Sequence, residues 1–442
     1  MAWRHFVRIQ RNVNNSIRFK KIAFQLKMDK VINLGIPHVA ELIFESIDTP
    51  GLIKYLKVSQ TWEELAWNVL VKRWKGKMFE ANGEAMVVEL LLERCSSEDS
   101  GGNIKDEYGV TPFMWACYCG YKDVVRSILD HSEKHELNVK DIKGQSAFMF
   151  ACDSVVQYDV VKLLLNSDKI ELNAKDESGR TALMRACGSG FKDVVKLLMD
   201  HPERIELNAK SNNGNTAFIL ACWAGRKDVV KLFMDKFERI ELNAKNKDGN
   251  TAFILACRDG RKDVVNLLMD NFERIKLNAK NHCGRTAFMH ACLSGDSDVV
   301  KLLMDHPERI ELNARDDYGR TAFMHACLSG RSEVVKLLLE YPERIELNAR
   351  DNNGETAMMH ACKPSISFVI GRGRNNVVQL LLDHLGESID LNIKNNNGET
   401  AMMIASHRGH QDIVQLIESK FTFSSQLTFF ARKFINLLPF WK

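Results

Sequence analysis

Three histidines each stand two residues ahead of a cysteine: His290 before Cys292, His325 before Cys327, His360 before Cys362. Imidazole and thiolate are usual zinc ligands, so the first chemistry to weigh is a metal centre. The spacing argues against it. Residues two apart on a helix do not face each other, and zinc–nitrogen bonds are only about 2 Å long. A packing role is expected for these histidines. The cysteines extend the pattern, since Cys117, Cys152, Cys187, Cys222, Cys257, Cys292, Cys327 and Cys362 all follow an alanine in one repeated slot. Helices pack roughly 8–10 Å apart, whereas a disulfide needs Cα atoms within about 7 Å. Equivalent cysteines should therefore stay reduced and act as small buried fillers. Other chemistries lack their signatures. Arg372-Gly373-Arg374 lacks the Gly-Lys-Ser/Thr of a phosphate loop, no His-Glu-x-x-His occurs, and acidic pairs such as Glu203 and Glu206 fall in solvated arms. The expectation is a non-enzyme with no catalytic residue, cofactor or metal.

What positions these residues is a period. Gly109, Gly144, Gly179, Gly214, Gly249, Gly284, Gly319 and Gly354 follow one another at intervals of 35 residues, and Gly398 comes after 44. A fixed period of this length implies stacked supersecondary units, each too small to bury its apolar face alone. In the unit from Asp176 to Lys210, Asp176-Glu177-Ser178-Gly179 reads as a turn and Thr181 as the cap of a short helix through Ala182, Leu183, Ala186 and Cys187. Gly188-Ser189-Gly190 ends it. Asp193 opens a second helix through Val194, Val195, Leu197, Leu198 and Met199, which Pro202 stops. Ile205 to Lys210 then alternates like an extended strand.

The pattern G-x-T-A-h-h-x-A-C-x-x-G-x-x-D-V-V-K-L-L followed by L-N-A-K-D resembles the ankyrin repeat. The resemblance implies an all-α ankyrin-repeat solenoid, helix-turn-helix units with β-turn fingers, spanning 105–420 as nine repeats. Most units have Ala where that family has Pro, and only Pro112 keeps it. A degenerate first repeat or cap is expected over 81–104, around Val87 to Leu92. The eighth repeat carries a nine-residue insertion near 364–374, expected as a loop between its helices. The pentatricopeptide repeat, which reads RNA, shares the period. However, each unit here spends about a third of its length on Pro-Glu-Arg-Ile-Glu-Leu-Asn and a Gly turn, leaving no room for that architecture.

Residues 36–74, the centre of a segment expected over 28–80, do not share the period. Ile43, Phe44, Ile47, Leu52, Ile53, Val58 and Trp62 mark short amphipathic helices broken at Pro50-Gly51, and the stretch resembles an F-box. That likeness implies a small helical domain docking these apolar residues on the SKP-type adaptor of a cullin–RING ubiquitin ligase. At about 40 residues such a unit needs a neighbour to fold against.

The net charge of +4 on 442 residues does not suggest a general polyanion binder, and no nucleic-acid partner is expected. Residues 1–27 hold seven basic residues and no acid, a basic N-terminal arm expected to be flexible. It is similar in composition to a mitochondrial presequence, but cytoplasm is the expected compartment, with the nucleus second. No stretch is long and apolar enough to span a membrane. Residues 421–442 place Leu427, Phe430, Phe434, Leu437 and Trp441 at helical spacing, an amphipathic cap for the last repeat.

The function expected is protein binding by a monomeric adaptor: the F-box-like segment holds a ligase, and the repeats hold a protein substrate. The alternative is an ankyrin scaffold or anchor with no ligase link, including a host-directed effector. In the ankyrin family, ligands meet the turn tips and the end of the first helix. Carried onto this sequence, those positions are Tyr108, Tyr118, Arg180, Asn215, Trp223, Asn250, Arg258, Arg285, Tyr318 and Arg320. Aromatic and Arg residues dominate interface energetics, which favours Tyr118, Trp223 and Arg258.

Overall fold

The computed structural model describes residues 105–131, 136–153, 158–363, 368–384 and 389–419. The basic arm, the F-box-like segment, the degenerate first repeat and the C-terminal cap lie outside the described residues. The chain divides between Glu171 and Leu172 into two compact units.

In the first unit, α1 (Pro112–Cys119) and α2 (Lys122–Asp130) form one antiparallel pair, and α3 (Ala147–Cys152) and α4 (Tyr158–Leu165) the next. First helix packs on first helix, and second on second. The second unit repeats the scheme. Its first helices are α5 (Ala182–Ser189), α7 (Ala217–Trp223), α9 (Ala252–Arg258), α11 (Ala287–Ser294), α13 (Ala322–Leu328), α15 (Ala357–Ala361) and α17 (Ala401–His407). Its second helices are α6 (Lys192–Met199), α8 (Lys227–Asp235), α10 (Lys262–Met269), α12 (Ser297–Met304), α14 (Ser332–Leu339) and α16 (Phe368–Asp383).

Each first helix starts where its Thr or Ser says it should. Thr251 accepts the Ile254 amide at 3.3 Å, and Thr181, Thr216, Thr286, Thr321 and Thr356 do the same for their own third residues. The cap holds with Ala at the first helical position, so Pro is dispensable there. The Ala-Cys pairs have no exposed surface, letting neighbouring first helices approach closely. Second helices bury the Val-Val and Leu-Met stripe, as at Val264, Val265, Leu268 and Met269. Phe233 of α8 reaches across its own repeat to Phe218 of α7, ring centres 5.6 Å apart.

The finger turns are built on their first residue. The Asp176 carboxylate accepts the amides of Ser178 and Arg180 at 2.9 and 2.8 Å, and Gly179 takes φ +72°. A Cβ on Gly179 would lie 2.6 Å from the Asn212 backbone nitrogen of the next finger, so the position needs Gly twice over. That nitrogen donates to the Ser178 carbonyl at 2.9 Å, tying finger to finger.

Two expectations are corrected. The arms are not strands, and no strand forms among the described residues; the pairing at Lys140 and Ser146 is a single bridge. The arm turns at Glu206–Ala209, and an asparagine side chain takes the place of a ladder. Asn173 donates to the Arg204 carbonyl at 2.8 Å and accepts the Glu206 amide at 2.9 Å. Asn208, Asn243, Asn278 and Asn313 grip the following arm identically. Alternation alone makes no strand without a neighbouring strand to bond. The eighth-repeat insertion is also not simply a loop. Its backbone from Phe368 continues directly into α16, giving 16 residues where α6 has eight.

Candidate functional site

The residues expected to meet a partner separate into two groups. In the first unit, Tyr108 at a turn tip and Tyr118 at the end of α1 are each 42% exposed, with Tyr118 edge-on to Phe150 at 6.2 Å. In the second unit, Trp223 ends α7 at 45% exposure and Tyr318 stands on a finger at 55%, the Arg320 guanidinium 5.1 Å from its ring. Arg258, one repeat after Trp223, is half-buried and forks onto the Asp259 carboxylate at 3.1 and 3.0 Å.

The slot after each finger glycine behaves differently. Arg180 binds Asp176 at 3.0 Å, Arg285 lies 3.7 Å from Asp316, and Arg320 lies 3.7 Å from Asp351. Asn215 accepts from the Asn246 side chain at 3.0 Å, and Asn250 from that of Asn281 at 2.9 Å. Asn250 is buried, which corrects its expected place on an open groove: its amide is spent between repeats. Arg180 braces its own finger, and the other four slots hold successive fingers together before they meet anything else.

The three histidines complete this polar ladder rather than filling space alone. His325 is buried and donates from Nε2 to Asp316 at 2.9 Å, and His360 does the same to Asp351. His290 meets the Asn281 amide at 3.1 Å. Each pair lies nine residues apart, finger base to first helix, a separation that no helical spacing reveals. Burial, helped by Arg285 and Arg258, pushes the His290 pKa down to about 4. Burial also lowers that of His325, against the opposing hydrogen bond to Asp316. For Asp316 burial works upward, but the bond from His325 and the amides of Arg320 and Tyr318 outweigh it and hold the carboxyl low. The pair is therefore neutral imidazole on carboxylate.

Asp351, Glu355 and His360 bring one ligand atom each within 4.8 Å of one another, a grouping that could hold a metal ion. The chain supplies its own cations there: the Lys363 ammonium binds Glu355, and the Arg320 guanidinium faces Asp351. Such pairing satisfies the carboxylates without an ion. The slot cysteines are all free and buried. Desolvation raises the thiols of Cys187 and Cys257 well above their usual value and pushes Cys362 up to about 12, so they are neutral and unreactive.

Two functional candidates escape a reading by slot. Arg226 and Arg261, both exposed, donate Nε to the carbonyls of Gly188 and Trp223 at 3.0 and 2.9 Å, closing the end of the previous repeat's first helix. Their signal was the recurring Gly-Arg-Lys-Asp of 225–228 and 260–263. Among the described residues no helix is long and apolar enough to cross a membrane.

Comparison with known proteins gives a family. A search of curated proteins finds no match. A solved structure, titled "Crystal structure of the ankyrin repeat domain of Bcl-3: a unique member of the IkappaB protein family", is 26% identical, covers 55% of this chain and all of that one, and superposes with a TM-score of 0.44. The profile described as ankyrin repeats (3 copies) matches in overlapping windows from 78–176 through to 343–425. With capped helix pairs, Gly-tipped fingers and that match over most of its length, the chain belongs to the ankyrin-repeat family.

Proposed function

We propose that this chain is a non-enzymatic adaptor whose repeats hold a protein partner for ubiquitination while its N-terminal segment holds a cullin–RING ligase. The single observation that carries the binding half is the exposure of Trp223, Tyr118, Tyr108 and Tyr318 at first-helix ends and finger tips. Large aromatics are costly to leave in water and are the anchors that interfaces use. The ligase half is supported by the ungapped series Ile43, Phe44, Ile47, Leu52, Ile53, Val58 and Trp62. On this reading the chain makes and breaks no bond. It raises the effective concentration of a substrate at the transfer site, acting as a cytoplasmic monomer.

Two measurements test the halves separately. Trp223→Ala with Arg258→Ala should weaken partner capture by at least ~2 kcal/mol with little change in the melting curve; an unchanged set of captured partners would remove the groove assignment. The intact protein should bind an SKP-type adaptor, and Leu52→Asp with Ile53→Asp should abolish this. An intact protein that binds no such adaptor leaves the plain ankyrin scaffold as the reading.

A further inference from the structure

Positive charge in the second unit is concentrated in one place. The stretches from finger to inter-helix loop at 174–193, 209–228 and 244–263 hold twelve Lys and Arg against seven acids. The equivalent stretches 279–298, 314–333 and 349–376, the last lengthened by the insertion, hold nine against seven. Trp223 stands in the middle repeat of the basic three. One repeat earlier its slot is Gly188, where an added Cβ would find nothing within 4 Å. The slot one repeat before Trp223 is therefore open.

Beside Trp223 stand two guanidinium groups that no carboxylate among the described residues engages. Three of the neighbouring acids are already engaged: Asp259 by Arg258 at 3.0 Å, Asp263 by Lys227 at 3.6 Å and Asp298 by Lys262 at 3.5 Å. Arg226 and Arg261 are instead held through Nε by main-chain carbonyls, and neither has a carboxylate partner among the described residues. A guanidinium has five N–H donors, so each keeps its terminal nitrogens for a ligand. Being tied at one end, each gives up less side-chain freedom on binding.

We propose that this face binds an acidic segment of a protein partner, its carboxylates taken by Arg226 and Arg261 and an apolar side chain seated on Trp223 beside Gly188. The proposal rests on the reading of the repeats as a protein-docking surface and adds the chemistry of what docks. An acidic peptide fits better than a nucleic acid. Asp193 and Asp228, in adjoining repeats, interrupt the basic residues and would repel an unbroken run of phosphates, whereas spaced carboxylates can pass between them.

The test is selection of a displayed library of random 16-residue peptides on the immobilised full chain, followed by affinity measurements on the enriched sequences. Enriched peptides should carry net negative charge around at least one large apolar residue. They should bind Arg226→Gln/Arg261→Gln at least about tenfold more weakly, as expected for loss of charge-assisted hydrogen bonds. Arg331→Gln removes the same tie in a repeat without the charge surplus and should change affinity less than about twofold. Arg226→Lys/Arg261→Lys keeps the charge and should retain most binding, which separates charge from any loss of fold. Enriched peptides with no excess of acid, or with equal affinity for the Gln variant, overturn the acidic site while leaving a protein-docking surface elsewhere. Tighter binding of a single-stranded oligonucleotide than of the selected peptides also overturns it. Failure to enrich any peptide overturns both this site and the reading beneath it.

Discussion

His290, His325 and His360 are in one slot, yet His290 lacks the carboxylate that the other two meet, and the difference predicts acid sensitivity. His290 faces Asn281, which brings no counter-charge, with Arg285 and Arg258 close by, so its folded pKa falls from 6.5 to about 4. A group whose pKa is depressed on folding contributes stability above its unfolded pKa and loses it as pH falls toward the folded value. Each tenfold difference in proton affinity between the folded and unfolded chain is worth about 1.4 kcal/mol, so acidification from pH 6.5 to 4 should cost the repeat up to about 3 kcal/mol. His325 acts in the same sense below 6.5, and Asp316, also depressed, adds its share below its usual 3.8. His290→Gln keeps a neutral polar side chain and removes the titration. Amide exchange in α11, corrected for intrinsic pH dependence, should accelerate on acidification in the parent and much less in this variant. Equal acceleration in both would place the controlling proton elsewhere.

At the scale of the element, what could be read in the sequence is what local physics decides. Thr251 before Ala-Phe-Ile, Val264-Val265 ahead of Leu268, and a glycine in each finger specify cap, buried stripe and turn within a few residues. Period alone then says that the pieces stack. What escaped depends on side chains reaching the neighbouring repeat. Asn243 closes the next arm through bonds 31 and 33 residues away, and Arg261 reaches 38 residues back to Trp223. Asn250 carried no sign of being drawn inward, since its partner Asn281 is 31 residues on. The eighth-repeat insertion misled for another reason: extra residues between two helices read as a loop, and this one contains Gly371 and Gly373. A helix interior tolerates each glycine at about 1 kcal/mol, and α16 runs through both. Exposure was legible where it follows from a helix end, as at Trp223. Polar pairing was illegible where a finger folds back onto its own helix, as at His325 and Asp316.

On the scale of the whole array, stability should be a sum of repeats and the contacts between nearest neighbours, so damage stays local. Within the second unit α9 packs on α7 and α11, and Cys257 sits among these helices with no exposed surface. Cys257→Arg adds volume to a filled space and buries a charge with no partner. The two effects together should cost about 3 kcal/mol or more. A single melting temperature would describe such an array poorly, because two-state behaviour breaks down in long repeat chains. Hydrogen exchange resolved by peptide is the better measurement. Exchange should quicken in α7, α9 and α11, while α15, three first helices beyond α9, keeps the parent's protection. Uniform loss of protection from α5 to α17 would show that the repeats unfold as one cooperative block. Protection unchanged throughout would show that the slot tolerates a long cation, against the burial of all eight equivalent cysteines.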